Sequence, residues 1–179
     1  PMLWTWFEED DILTRLGYKR LYTDQDGNFT GPHLWDLLIE RINLEYHKKL
    51  RDHPNYHQDN TAIIEFARGT QHGGFARAFQ HLSKEIASRL AILYIQVSWE
   101  ESLRKNRARY NPERPDSILE HGLDDQKMAL LYRYVDWDAV SAQDPASIEI
   151  QGVRVPYVVF PNEDDVTTAR GEALAKRLE

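Results

Sequence analysis

The chain comprises 179 residues, with 22 Lys and Arg against 29 Asp and Glu, a net charge of −7 and no cysteine. Disulfides, thiolate catalysis and cysteine-built zinc sites are thereby excluded, and 41% hydrophobic residues supply the core that a disordered chain lacks. The acidic average argues against binding long nucleic acid. No apolar run reaches the roughly 18 to 20 residues that span a bilayer, and no basic segment leads into an apolar one, so a cytoplasmic protein is expected.

In chain order, the aromatic stretch Leu3–Phe7 reads as a buried strand ending in the carboxylates Glu8, Glu9, Asp10 and Asp11, with a helix starting near Asp10 or Asp11. Tyr22 to Pro32 carries Asp-Gly and Gly-Pro punctuation and reads as loop. Leu34, Leu37, Leu38, Ile42, Leu44 and Tyr46 recur at near-helical spacing between charges, which predicts an amphipathic helix from His33 to about Arg51. A polar connection, His53 to Asn60, leads to a second strand candidate, Thr61–Ile64, again ending in an acid, Glu65. Phe75 to about Arg89 repeats apolar residues at helical spacing, and Leu90–Val97 is an almost continuous apolar run of the kind found in covered parallel strands. Ser98 and Glu101 form a capping-box pattern for a helix through Arg109. After a loop from Tyr110 to Asp116, Asp124 to Asp136 reads as helix, Ile148 to Phe160 as one or two strands around Gly152 and Pro156, and Val166 to Leu178 as a closing helix.

This alternation predicts an α/β fold: a three-layer, mostly parallel sheet with helices on both faces, and ligands outside the carboxyl ends of the strands. A single domain over residues 1–179 is expected, with 100–136 as a lid-like helical segment.

Several clusters suit chemistry at such a rim. Asp10 and Asp11 can orient a hydroxyl, accept its proton or hold hydrated Mg²⁺; a solvated helix start is the alternative. Glu65 and Arg68 share one turn and suit activation of a hydroxyl beside the grip of an anion, or else a local salt bridge. Gly69, His72 and Gly73 lie in a turn that can present backbone N–H groups to an anion, or serve as a flexible connection. Arg104, Arg107, Arg109 and Arg114 concentrate positive charge, either as a lid over phosphate or as a solvated helix face. His47, His53 and His57 match no metal motif, and no metal site is expected.

In their order these pieces resemble the P-loop kinases of small molecules, such as nucleoside, nucleotide, shikimate and gluconate kinases. The resemblance runs from Trp4–Asp11 through Ala62–Gly69, the Leu90–Val97 strand and the Arg104–Arg114 segment to Val155–Glu163. It implies ATP and Mg²⁺ as cofactors, Asp10 or Asp11 and Glu65 with Arg68 at the acceptor, the lid arginines on the transferring phosphoryl group, and Pro161 and Asn162 beside the base. Such kinases also carry a strand, a Walker A loop and a helix ahead of the first of these pieces, and no G-x-x-x-x-G-K-[ST] occurs in this chain. A truncated kinase, a sequence that omits an N-terminal segment, and a relative that has lost the loop are the three explanations. The leading expectation is thus a small-molecule phosphotransferase impaired in this form. A non-catalytic nucleotide- or anion-binding module is the alternative, and a third reading is an assembly protein whose sheet is completed by a partner strand. The expected partners are a small molecule or nucleotide and, as an assembly, a homodimer, with neither long nucleic acid nor membrane.

Overall fold

The computed structural model describes residues 2–114, 117 and 120–179. The helices are α1 (Met2–Arg15), α2 (His33–Asp52), α3 (Tyr56–Asp59), α4 (Gly74–His81), α5 (Lys84–Ala87), α6 (Trp99–Arg109), α7 (Asp125–Tyr132), α8 (Trp137–Ser141), α9 (Val166–Ala169) and α10 (Gly171–Leu178). The strands are β1 (Ile92–Gln96), β2 (Ser147–Ile150) and β3 (Val153–Pro161). Among the described residues they make one sheet in the order β1-β3-β2, with β1 parallel and β2 antiparallel to β3. This corrects the expectation of a three-layer, mostly parallel α/β sheet with helices on both faces: helix dominates the chain, and the sheet is small and mixed.

Two of the expected strands account for the difference. Leu3–Phe7 lies inside α1, where Leu3, Trp6, Phe7, Asp10 and Leu13 turn inward at helical spacing. The fourth of these inward positions is an aspartate, so the apolar period breaks where the helix is most deeply buried. Thr61–Ile64 is neither helix nor ladder strand among the described residues, although Ala62, Ile64 and Phe66 pack on the core at every second residue. The region expected as strand around Gly152 is a hairpin. Gln151 and Gly152 both have positive φ, +54° and +73°, as a two-residue turn matched to strand twist requires.

The expected helix over 33–51 is α2, and Ser98 caps α6 by accepting from the Glu101 N–H at 3.1 Å. Only half of the capping box forms. The Glu101 carboxylate turns to Arg104, and the Ser98 N–H donates instead to Glu163 at 2.7 Å.

The core sits on one face of the sheet. Tyr94 of β1 stacks on Trp137 of α8, with centroids 4.1 Å apart and planes 6° from parallel, and Phe75 of α4 meets both rings edge-on. Ile148, Ile150 and Val155 close this layer, each buried apolar side chain contributing roughly 1.5 to 3 kcal/mol. Leu93, Ile95 and Val158 lie on the opposite face and are exposed. Among the described residues no helix is long and apolar enough to cross a membrane.

Candidate functional site

Asp10 is fully buried and accepts four hydrogen bonds, from the backbone N–H groups of Leu21 (2.6 Å), Tyr22 (3.0 Å) and Thr23 (2.6 Å) and from the Thr23 hydroxyl (2.8 Å). Burial pushes its pKa up, but these donors outweigh burial and hold the carboxyl below its ordinary value. Its neighbour Asp11 pairs with Arg20 at 2.5 Å, and the Arg20 guanidinium lies over Phe7 and bonds Thr23. Asp10 and Asp11 thus tie α1 to the loop that follows it, and Asp10 is sealed from any acceptor in solution.

A second carboxylate organises the centre. Arg68, only 2% exposed, donates through Nη2 to Asp36 of α2 at 2.8 Å and through Nε to the His72 carbonyl at 2.5 Å. Arg77 of α4 binds both oxygens of Asp36, and His81 lies 3.5 Å away. Hydrogen bonds from Arg77, with burial opposing and Arg68 adding to the attraction, hold the Asp36 carboxyl down at about 2. Two guanidinium groups therefore share one buried carboxylate, and positive charge is left over beside His72. Glu65, expected to work with Arg68, is exposed and makes no ion pair among the described residues.

An aromatic chain reaches the same place. Tyr22 stacks on Trp6 at 5.0 Å, Phe29 bridges Trp6 to Trp35, and Trp35 stacks on the His72 imidazole with centroids 4.4 Å apart. Trp35 and His72 line a pocket of about 270 Å³, together with Leu3, residues 28–32 and Leu130 and Leu131 of α7. His72 Nε2 and Arg68 Nη1 are buried without a hydrogen-bond partner among the described residues. Burial, with the nearby Arg68 charge, pushes the His72 pKa below its ordinary value, so the ring is neutral near pH 7. The first turn of α2, a helix of 20 residues, borders the pocket through Pro32 and Trp35, and its Leu34 and Trp35 N–H groups donate to the Gly31 and Pro32 carbonyls, both at 3.2 Å.

The glycine turn is already filled. Asp136, which precedes α8, accepts from the N–H groups of Phe75 (2.7 Å) and Ala76 (3.0 Å) at the start of α4. Gly74, at φ +63°, has no room for a Cβ beside that carboxylate, and a Cβ on Gly69 would strike the Leu131 carbonyl. Gly73, at φ +91°, joins the Thr70–His72 turn to α4. The anion that Gly69–Gly74 was expected to cradle is thus the protein's own.

The lid arginines are spread along one flank. Arg104 pairs with Glu101 and Asp165, Arg107 with Asp125 at 2.5 Å, and Arg114 with Glu120 at 3.5 Å; Arg109 has no ion pair among the described residues. Asp165 is held at about 2, first by a hydrogen bond from Lys105, with burial opposing. Asn162 is buried beyond Pro161, its N–H donating to Gln96 and its amide to Thr167 at 2.8 Å, so it secures the turn between β3 and α9.

Of the expected site residues, Arg68, Gly69, His72 and Gly73 come together, while Asp10 and Asp11 anchor a neighbouring loop and the lid arginines and Asn162 lie on another flank. Sequence reasoning missed Asp36 and Asp136. Asp36 carried a signal, a charged residue inside the apolar stripe of α2. The residues expected beside ATP and Mg²⁺ have other partners: Asp10 accepts four hydrogen bonds from Leu21, Tyr22 and Thr23, and Arg104, Arg107 and Arg114 pair with carboxylates. No protein-family model, curated protein or solved structure matches the chain.

Proposed function

We propose that this chain is a binding module for a small anion carrying a planar ring, seated against Trp35 and His72. The observation that carries the reading is the pocket wall formed by Trp35 stacked on His72, beside the Arg68 and Arg77 guanidinium groups. His72 Nε2, sealed from solvent and without a partner among the described residues, costs roughly 1 to 3 kcal/mol, which a small turn of the ring toward a ligand oxygen recovers. As a neutral ring with its proton on Nε2, His72 donates to such an oxygen without needing to be charged. The surplus guanidinium charge at Arg68 and Arg77 favours an anion. Trp35 offers a face for the ring. The volume, about 270 Å³, lies just under the roughly 300 to 1,000 Å³ of drug-sized sites, which suits one ring and one anionic group and not an enclosed nucleotide. Binding accounts for these features better than phosphoryl transfer does, because three of the four lid arginines already hold carboxylates.

Calorimetry and thermal melting with phenyl phosphate, benzoate, inorganic phosphate and ATP test this reading. Phenyl phosphate or benzoate is expected to raise the melting temperature and quench tryptophan fluorescence, with inorganic phosphate weaker. His72→Leu should weaken binding at least tenfold while leaving stability unchanged or improved, since it removes an unsatisfied atom. No shift with any ring-bearing anion at 10 mM would overturn the reading, and release of ADP from ATP would replace it with phosphoryl transfer.

A further inference from the structure

The end of α1 and the turn after it hold apolar side chains out in water. Ile12 and Leu16 stand one turn apart on the outer face of the helix, and Leu16, Tyr18 and Leu21 are 63%, 68% and 61% exposed. The backbone beneath them is firmly held. Gly17, at φ +84°, closes the helix: its N–H donates to the Thr14 carbonyl at 3.1 Å and the Tyr18 N–H to that of Leu13 at 2.8 Å, the paired bonds of a Schellman motif. The Leu16 N–H donates to Ile12, and the buried Asp10 takes the N–H groups of Leu21, Tyr22 and Thr23. Such a motif commonly packs the residue at the Tyr18 position onto the one at Leu13, yet Tyr18 stays largely in solvent. The charge of this corner is opposite to that of the chain. Residues 12–23 contain Arg15, Lys19 and Arg20 and no acid, against −7 overall. Arg20 pairs with Asp11, whereas Arg15 and Lys19 are exposed and have no ion pair among the described residues.

We infer that this corner docks on an anionic lipid bilayer, with Leu16, Tyr18 and Leu21 entering the interface while Arg15 and Lys19 meet the headgroups. Three features favour a bilayer as the partner. Apolar side chains bordered by a tyrosine and by unpaired basic residues match the layered chemistry of a membrane surface. The N–H groups of residues 16–18 and 21–23 already have acceptors within the chain, as backbone approaching an apolar phase requires. The corner also projects: a Cβ on Gly17 would meet nothing within 4 Å, so the turn offers a partner peptide no groove. A second copy is a poor occupant, because a two-fold contact here would bring Arg15 and Lys19 of both copies together. The acidic remainder of the chain is repelled by the same surface, which orients the molecule with the end of α1 toward the bilayer and makes the contact sensitive to salt.

Cosedimentation of the whole chain with sucrose-loaded vesicles tests the docking. The probes are vesicles of phosphatidylcholine alone and of phosphatidylcholine with about 30 mol% phosphatidylserine, in about 0.1 M NaCl. The expected result is sedimentation with the anionic vesicles, at least tenfold weaker with the neutral ones and lost in about 0.5 M NaCl. Leu16→Ser combined with Tyr18→Ser, and separately Arg15→Gln combined with Lys19→Gln, should each lower the affinity for anionic vesicles at least fivefold. Both pairs should leave the melting temperature within about 2 °C, since these side chains are exposed. Absence of sedimentation with the anionic vesicles would overturn the proposal. So would binding that the serine pair leaves unchanged, which would make the attraction purely electrostatic, or binding that the glutamine pair leaves unchanged, which would place the contact elsewhere. Capture of an acidic amphipathic peptide at this corner without vesicle binding would assign it to a protein partner instead.

Discussion

Arg68 and Asp36, 32 residues apart in sequence, meet through a 2.8 Å hydrogen bond sealed from solvent, and Arg77 completes the coordination of the carboxylate. Removing one partner of a buried pair leaves the other desolvated and uncompensated, at about 3 to 5 kcal/mol. Arg77 remains on Asp36 when Arg68 is lost, so Arg68→Leu is expected at the lower end of that range in urea unfolding. Glu65→Ala, on an exposed side chain three residues earlier, should stay within about 0.5 kcal/mol.

Acid should expose the same carboxylate. Asp36 is held at about 2 against an ordinary value of 3.8, so its folded pKa is depressed. The stabilisation is full above about pH 4 and disappears as pH falls toward 2, amounting to about 2 kcal/mol. Unfolding free energies measured between pH 5 and pH 2 should show this slope. Asp36→Asn should flatten part of it, leaving the share of Asp165, which titrates in the same window.

Asp136→Ala removes the acceptor for two N–H groups at the start of α4 and should cost about 1 to 2 kcal/mol, as the loss of a helix cap does. Gly74→Ala is expected to cost more, because it combines a positive φ with a collision against the same carboxylate. Melting temperatures of the two variants check the order.

Asp10→Asn tests the anchor of α1. The amide nitrogen would replace an oxygen that N–H groups now face, and hydrogen bonds to a charged acceptor are worth about 1.5 to 3 kcal/mol. Faster amide exchange across Met2–Arg15 with an intact β1–β3 ladder is the expected signature.

How far the chain could be read in advance depended on whether its signals were local. The helix over 33–51, the Ser98 cap and the strand at Leu90–Val97 follow from spacing and side-chain chemistry within a few residues. Leu3–Phe7 misled because its aromatics favour strands taken singly, while the helical period is completed by a buried aspartate that no hydrophobic pattern includes. Thr61–Ile64 has the alternation of a strand, but pairing depends on a neighbour, which alternation cannot supply. At the candidate site, Arg68 and His72 stood out by residue type and position. Their partner Asp36 and the stacking of Trp35 on His72 come from tertiary packing of α2 against the turn.

The bond from Phe75 to Asp136 spans 61 residues, and β1 pairs with a strand whose register sets Ile92 beside Tyr157. Closing loops of that length costs about 3 to 4 kcal/mol of chain entropy before any contact repays it. A chain so rich in short helices should nonetheless fold at the pace of proteins with distant contacts. In a stopped-flow experiment, far-ultraviolet circular dichroism should recover early and the fluorescence of Trp137 late, with the gap marking the moment the two halves of the core meet.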